Sequence, residues 1–263
     1  MNEETTITTE DFQKYRRGLG FSNQADVKSF FGAKDVVPTV DLKYLELLNE
    51  RLREIVDRVN DVVNEEIKLE DADVFGKEYI DTAFKTIQES GILPRLNNQG
   101  RRPEEVYFSW MRGYVMANFF QKAIGLVFGI DLSKIDLIGD DDLRDPDTFK
   151  RAPTADLEIT LPKGEKLRIE MQSGFQGVND IKEHKVREAK KIASEQKIGT
   201  LAVHLDLFNG QVAFVRLDTI SDSDVNWITR QQMEGQTVFE INQNHFVWKI
   251  VDKPVSYKSI QFD

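Results

Sequence analysis

The segment from residue 155 to residue 174, ADLEITLPKGEKLRIEMQSG, contains two short runs in which apolar and polar residues alternate. Because successive side chains of a β-strand point to opposite faces, the alternation predicts a hairpin with one apolar and one polar face. Pro162 and Gly164 supply the turn between the two strands. The predicted polar face carries Asp156, Glu158, Thr160, Arg168, Glu170 and Gln172. This hairpin constrains the fold most strongly, because its apolar face has to be buried.

The polar face of the hairpin allows two interpretations. Either its side chains are simply solvated, or Asp156 and Glu170 hold a divalent metal ion between neighbouring strands. Cross-strand neighbours lie about 5 Å apart, so two carboxylates can share one cation. The chain has no cysteine and three histidines. A hard ion bound through carboxylates, Mg²⁺ with Mn²⁺ as a substitute, is therefore expected rather than zinc.

The charge of the chain bears on its partners only weakly. The formal net charge is −10, from 35 basic and 45 acidic residues. This balance argues mildly against nucleic acid, although local basic clusters decide where a polyanion can bind. No apolar run approaches the length of about 18 residues that a membrane-spanning helix needs, and the acidic N-terminus is no signal peptide. A cytoplasmic protein without membrane contact is expected.

The first part of the chain, residues 1–102, is predicted to be an N-terminal helical elaboration. Between Asp41 and Leu69 apolar residues recur at steps of three and four, as in a heptad stripe. The stripe consists of Leu45, Leu48, Leu52, Ile55, Val59 and Val62. Because only about three heptads occur, burial in the protein's own core is favoured, with dimerisation as the alternative. A second helix is predicted from Val74 to Ser90, and a long one from Pro103 to Gly129.

The remaining segments predict a mixed sheet flanked by helices. After the hairpin, an amphipathic helix capped by Asn179 or Asp180 leads to the strand TLAVHLDLF. Asn209-Gly210 then predicts a tight turn into a further strand. A helix in DSDVNWITRQQMEG and two strands in TVFEINQNHFVWKIV complete the chain. An antiparallel hairpin followed by a helical crossover indicates a single α/β domain, 1–263, with a core at 103–217 and C-terminal strands and helix at 218–263.

PTADLEI followed by LRIEMQSG resembles the bipartite motif of the PD-(D/E)XK nucleases. In that motif an acidic residue on one strand precedes acid-x-lysine on the next, and the strand-helix-strand continuation is similar to the family's common core. The resemblance covers residues from roughly 103 to 217. It departs from the motif at two positions, because Ala155 replaces proline and Gln172 replaces the lysine. The implied fold is a restriction endonuclease-like core.

The resemblance implies a Mg²⁺-dependent type II restriction endonuclease that hydrolyses phosphodiester bonds at a short specific double-stranded DNA sequence and leaves 5′-phosphate ends. It implies that Asp156 and Glu170 bind the metal, with the backbone carbonyl of Met171 as a further ligand. Gln172 would orient the attacking water without the charge of a lysine. Glu104, in the first turn of the preceding helix, is an additional candidate carboxylate, and a favourable interaction with the helix dipole explains it equally well.

Polar residues near the catalytic strand are the candidates for DNA recognition. Asparagine and glutamine can make bidentate contacts to adenine, and arginine to guanine. The DNA-binding candidates are Asn97, Asn98, Arg101, Arg102, Ser173, Gln176, Asn179, Lys182 and Lys185. Symmetric cleavage of both strands needs two sites related by a two-fold axis, so a homodimer is expected.

Two other classes of function remain open from the sequence. One is a catalytically inactive DNA-binding protein of the same fold, for which Gln172 is the main support. The other is a structural protein that assembles through the heptad stripe.

Overall fold

The computed structural model describes residues 7–33, 35–96, 101–139, 143, 155–230 and 235–262. Its helices are α1 (Thr9–Gly18), α2 (Gln24–Phe31), α3 (Leu42–Val62), α4 (Ala72–Gly76), α5 (Thr82–Glu89), α6 (Ile92–Arg95), α7 (Pro103–Phe119), α8 (Gln121–Phe128) and α9 (Glu183–Gln196). Its strands are β1 (Ile135–Leu137), β2 (Leu157–Thr160), β3 (Lys166–Gly174), β4 (Asp180–Lys182), β5 (Gly199–Asp206), β6 (Gln211–Arg216), β7 (Ile228–Arg230), β8 (Gln236–Glu240) and β9 (Phe246–Lys249). A π-helical turn, Lys77–Asp81, joins α4 to α5. Within these ranges no helix is long and apolar enough to cross a lipid bilayer.

The strands form two sheets. The larger sheet has the order β1-β2-β3-β5-β6-β9, and its neighbours are antiparallel except for the parallel pair β3–β5. The chain passes from β3 to the parallel strand β5 through α9, as a parallel pair requires a crossover. The smaller sheet is antiparallel, with the order β4-β8-β7. The predicted fold class, α/β with a mixed sheet flanked by helices, is confirmed.

The two faces of the larger sheet belong to two hydrophobic cores. On one face the apolar side chains of the hairpin, such as Leu157 and Ile169, pack with the helices from α3 to α8. On the other face Val186 and Ala189 of α9 pack against Ala202 of β5. The central strand β3 therefore presents alternate side chains to a helical layer on each side, which places its polar residues between the sheet and α9.

The heptad stripe of α3 is used inside the protein. Leu45, Leu52 and Val56 are at most 1% exposed, and α3 packs along α7. The predicted burial in the protein's own core is thus confirmed. Because Leu45, Leu52 and Val56 are covered, these three side chains are not available for a dimer interface, whereas Val62 at the end of the stripe is 56% exposed.

Two helix boundaries differ from the predicted ones. The predicted cap of α9 at Asn179 or Asp180 is wrong, because Asp180 belongs to β4 and Lys182 occupies the N-cap position. The long helix predicted over 103–129 is divided at Phe120, whose backbone (φ −88°, ψ 4°) ends α7 before α8 begins. Short-range patterns do not reveal either boundary, because both depend on tertiary packing.

The C-terminal part, 218–263, differs from the sequence-based prediction more than the helix boundaries do. The helix predicted in DSDVNWITRQQMEG is wrong where the chain is described, because Ile228–Arg230 forms β7 and pairs with β8. Residues 231–234 of that segment lie outside the described ranges. The two predicted final strands exist as β8 and β9, but they lie in different sheets.

The helices α1 and α2 form an arm outside both cores. Neither helix contains a buried residue. Phe21 and Phe30 contact each other, with ring centroids 5.3 Å apart. Tyr15 and Phe31 remain 67% and 68% exposed, so the arm buries little apolar surface against the rest of the chain.

Candidate functional site

The predicted carboxylates lie on paired strands. Leu157 of β2 stands opposite Ile169 of β3, and Asp156 precedes Leu157, so Asp156 lies beside Glu170 across the pair. The backbone N–H of Asp156 donates to the carbonyl of Ile169 at 3.1 Å. The hairpin therefore brings the two acids to adjacent strands, as the sequence predicts.

Asp156 is bonded to the backbone of the neighbouring strand. Its Oδ2 accepts a hydrogen bond of 2.6 Å from the N–H of Met171. Asp156 and Met171 line a cavity of about 180 Å³ together with residues of α7, among them Trp110 and Tyr114. We refer to this space as the α7-side cavity.

Glu170 lies on the other face of β3, beneath α9. It lines a cavity of about 140 Å³ with Gln172, Lys182 and Lys185, here termed the α9-side cavity. Nζ of Lys185 is 2.8 Å from Oε1 and 2.9 Å from Oε2 of Glu170. The side chains of Lys185 and Glu170 are 20% and 13% exposed. This ion pair is largely shielded from solvent, so its charges are screened less than those of a surface pair.

The predicted alternation breaks at Asp156. The strand begins at Leu157, and Asp156 occupies a bend before it. Its neighbour Ala155, instead of Asp156, borders the crevice that Arg168 and Glu170 form under α9. The shared polar face therefore begins at Glu158, because the Asp156 carboxylate accepts from the N–H of Met171. The prediction that the side chains of Asp156 and Glu170 share one face is wrong.

The donor types suit a hard divalent ion, but the carboxylates of Asp156 and Glu170 line cavities on opposite faces of β3. Mg²⁺ accepts one or two carboxylates and completes its shell with water, carbonyl and phosphate oxygens. Asp156, Glu170 and the carbonyl of Met171 offer such oxygens on adjacent strands. In the part of the chain that the structure describes, no group of three or more acidic or histidine side chains is placed to hold a metal. Binding of one ion by both carboxylates would require the Asp156 side chain to leave the Met171 N–H and turn toward Glu170, in competition with Lys185.

Gln172 is anchored by the second sheet. Its Nε2 donates to the carbonyl of Asp180 at 2.8 Å, which joins β3 to β4. Because the amide is neutral, the positive charge of the α9-side cavity comes from Lys182 and Lys185 instead. The sequence analysis gave both lysines as DNA-binding candidates, but their approach to Glu170 depends on how α9 packs and could not be predicted.

A buried polar cluster lies beside Gln172. His204 of β5 is the register neighbour of Gln172 and is 1% exposed. Oδ1 of Asn179 lies 2.8 Å from Nε2 of His204, while Nδ1 of His204 is buried without a hydrogen bond. Burial lowers the pKa of His204 to about 4. A Cβ at Gly174 would lie 3.2 Å from His204 Nε2, so the strand end requires a small residue there.

Glu104 has a different position. It is 3% exposed in the first turn of α7, and its Oε1 accepts a hydrogen bond of 2.6 Å from the backbone N–H of Asp41. Asp41 is the N-cap of α3. The carboxylate therefore links the starts of two helices, and we assign Glu104 to this contact rather than to a metal.

The arginines predicted to bind DNA lie just before α7. Arg101 Nη2 donates to the carbonyl of Glu105 at 3.2 Å. The exposed Arg102 lies 5.2 Å from the ring centroid of Tyr44 and pairs with Glu105 at 3.4 Å. Their predicted neighbours Asn97 and Asn98 lie outside the described residues.

The candidates after Gln172 fall into two groups. Ser173 is half-buried on β3, and Gln176 is exposed in the loop that follows. Asn179, in contrast, is buried, and its Nδ2 donates to Asp206 at 3.4 Å. Since its amide is used inside the protein, we leave Asn179 out of the proposed DNA surface.

Comparisons with known proteins add nothing to this geometry. The scan against protein-family models, the search of curated proteins and the search of solved structures each returned no match. A function for this chain therefore has to be argued from its site.

Proposed function

We propose that the protein is a Mg²⁺-dependent endonuclease that cleaves double-stranded DNA at a short specific sequence, as a type II restriction endonuclease does. The observation that carries the proposal is that Asp156, immediately before β2, lies beside Glu170 of the paired strand β3. The second of these strands continues through α9 into a parallel strand. This is the order that the PD-(D/E)XK resemblance implies. Fold alone does not define an activity, so the argument depends on the two carboxylates.

The chemistry is divided among a few groups. Asp156, Glu170 and the carbonyl of Met171 would hold the ion once the Asp156 carboxylate turns from the Met171 N–H toward Glu170. The bound ion would neutralise phosphate charge and lower the pKa of a water. Mn²⁺ has the same preference for oxygen ligands and is expected to substitute. Lys185 orients the carboxylate of Glu170 and adds a fixed positive charge where negative charge develops on the phosphate. Gln172 keeps β3 attached to β4 and contributes a polar group without charge.

The proposal is tested by incubating supercoiled plasmid and phage DNA with the purified protein and Mg²⁺. Discrete fragments with 5′-phosphate ends are the expected result, and a continuous smear would indicate a nonspecific nuclease. Glu170→Gln removes a metal ligand with little change in volume and should abolish cleavage. Glu165→Gln, the same substitution at an exposed turn residue, is the matched control and should leave cleavage intact. DNA left uncut by the wild-type protein over a range of sequences would contradict the proposal.

The proposed partners follow from the reaction. A homodimer would place two equivalent sites on the two strands, and closed two-fold dimers are the commonest oligomers. Light scattering of the protein with and without a DNA duplex measures this, and a monomer under both conditions would contradict it. A cytoplasmic location is part of the same proposal, because the substrate is DNA.

The second candidate function is DNA binding without cleavage. It is favoured by one observation, the neutral Gln172 together with the ion pair that already occupies Glu170. Tight, sequence-dependent binding with no cleavage in Mg²⁺ or Mn²⁺ would select this function over the first.

A further inference from the structure

Arg112, on α7, lies between two aromatic rings. Its guanidinium carbon is 3.9 Å from the ring centroid of Phe175 and 5.6 Å from that of Phe108. Phe175 is 46% exposed and follows the end of β3, whereas Phe108 is half-buried one turn earlier on α7. The two rings hold the guanidinium plane, because cations stack favourably on aromatic faces.

In the described part of the chain no carboxylate balances the positive charge of Arg112. Its Nε is buried without a hydrogen-bond partner. Burial and the neighbouring charge of Arg101 both lower the pKa of Arg112. Among the described residues, neither arginine forms an ion pair with a carboxylate, although acidic residues outnumber basic ones in the chain. Two neighbouring arginines without a carboxylate partner among the described residues indicate a site for an anion.

The geometry of guanidinium suggests which anion fits. A guanidinium presents parallel N–H donors that match the oxygens of a phosphate. Burying a cation without a partner costs free energy. The charge of Arg112 therefore does not stabilise the folded state unless an anion binds to it. A phosphodiester oxygen would supply the missing acceptor.

The position of this cluster relates it to the candidate site. Ser109 and Gly113, close to Arg112 on α7, line the α7-side cavity with Asp156. Phe175 comes four residues after Met171, which lines the same cavity. A strand of nucleic acid held at Arg112 would therefore run past the mouth of the cavity that contains Asp156.

We propose that Arg112, stacked on Phe175 and supported by Arg101, binds a backbone phosphate of DNA beside the α7-side cavity. The inference rests on the proposed function for the identity of its ligand. It adds to that function a phosphate-binding residue that the sequence pattern did not single out.

The experiment measures duplex binding by fluorescence anisotropy, with Ca²⁺ in place of Mg²⁺ to prevent cleavage. Arg112→Met should weaken binding about tenfold and lower the slope of log K against log salt by about one, as expected for one lost phosphate contact. Arg112→Lys keeps the positive charge but lacks the parallel N–H donors of the guanidinium, so it should give an intermediate affinity. Arg51→Met, at a 64% exposed arginine on α3, is the matched control and should bind as the wild type does.

Thermal unfolding of the free protein separates a ligand site from a structural residue. Arg112→Met should melt at the same temperature as the wild type or higher, because a buried unpaired charge has been removed. A lower melting temperature together with unchanged DNA affinity would overturn the inference. Phe175→Leu keeps an apolar side chain and should weaken binding by a few-fold without unfolding the protein.

Two further outcomes distinguish this inference from the proposed function. Binding that depends on Arg112, without any cleavage, would overturn the nuclease proposal and support the phosphate site. Cleavage by the wild type with full DNA affinity in Arg112→Met would overturn the phosphate site alone. If millimolar inorganic phosphate stabilised the wild type but not Arg112→Met, while DNA affinity stayed equal, the site would accept a small anion and the assignment to DNA would be wrong.

Discussion

The ammonium group of Lys185 lies within 2.9 Å of both carboxylate oxygens of Glu170. A lysine from α9 thus supplies a positive charge beside Glu170 in the cavity that the neutral Gln172 also lines.

The first prediction follows from this contact. Lys185→Met should reduce the rate of DNA cleavage by about 10²-fold or more, the usual effect of removing one stabilising donor from an active site. Gln172→Lys in the Lys185→Met background should recover part of the lost rate, because it returns a cation to the same cavity. The rate is measured by plasmid cleavage at saturating protein.

Lys191→Met, at an exposed position of the same helix, provides the control and should cleave normally. If Lys185→Met cleaved as fast as the control, Lys185 would be a structural residue only. If the Gln172→Lys, Lys185→Met double variant were no more active than Lys185→Met, a lysine at position 172 could not replace Lys185.

The second prediction concerns Asp156 and separates its two tasks. Asp156→Asn retains an oxygen that can accept from the Met171 N–H, so the protein should remain close to wild-type stability while cleavage is lost. Asp156→Ala leaves that half-buried N–H without its acceptor and should lower the unfolding free energy by about 1–3 kcal/mol. Urea unfolding of the two variants gives the comparison, and equal stability would show that the hydrogen bond contributes little.

The third prediction concerns the contact between α3 and α7. The hydroxyl of Tyr107 donates a hydrogen bond of 2.6 Å to Oδ1 of Asn49, and both side chains are buried. Tyr107→Phe leaves the Asn49 carbonyl without its donor and should cost about 1–2 kcal/mol of unfolding free energy. Tyr15→Phe, at a 67% exposed tyrosine of α1, should change stability by less than about 0.5 kcal/mol. Similar changes in unfolding free energy for the two variants would contradict the prediction.

The fourth prediction is a loss of stability in acid. Burial lowers the pKa of His204 from 6.5 to about 4, although the charges of Asp206 and Asp180 oppose this. Between these two values the unfolded chain binds a proton that the folded protein excludes, so stability falls as the pH drops below 6.5. The loss from this residue between pH 7 and pH 5 should be about 2 kcal/mol.

Urea unfolding at the two pH values tests the fourth prediction. His204→Gln can still donate to Asn179 and removes the titrating group, so its stability should change less between pH 7 and pH 5. An undiminished change in this variant would assign the acid sensitivity to other groups.

The sequence predicted those parts of the fold that local patterns encode. The alternation between Leu157 and Met171 identified β2 and β3, and Asn209-Gly210 identified the turn between β5 and β6. The spacing of the stripe that begins at Leu45 identified α3 and its buried face. In each case all the residues that form the pattern lie within one helix or one pair of adjacent strands.

The parts that could not be predicted depend on contacts between distant segments. β4 and β7 have only three residues each, too few for a pattern, and both exist because β8 pairs with them. The same limit applies to the candidate site. The sequence placed Asp156 and Glu170 on one face of neighbouring strands, but the bond from Met171 turns the Asp156 carboxylate away from that face. The packing of Arg112 against Phe175 arises only when α7 meets the end of β3.

The arm formed by α1 and α2 divides the molecule into parts of unequal stability. Because the arm contains no buried residue, opening it uncovers little apolar surface and leaves both hydrophobic cores intact. Its amide protons should therefore exchange with solvent by local opening, whereas those of β3 and β5 require global unfolding. A protease that cuts after Arg17 should likewise remove most of α1 and leave a cooperatively folded remainder that still contains Asp156, Glu170 and Lys185.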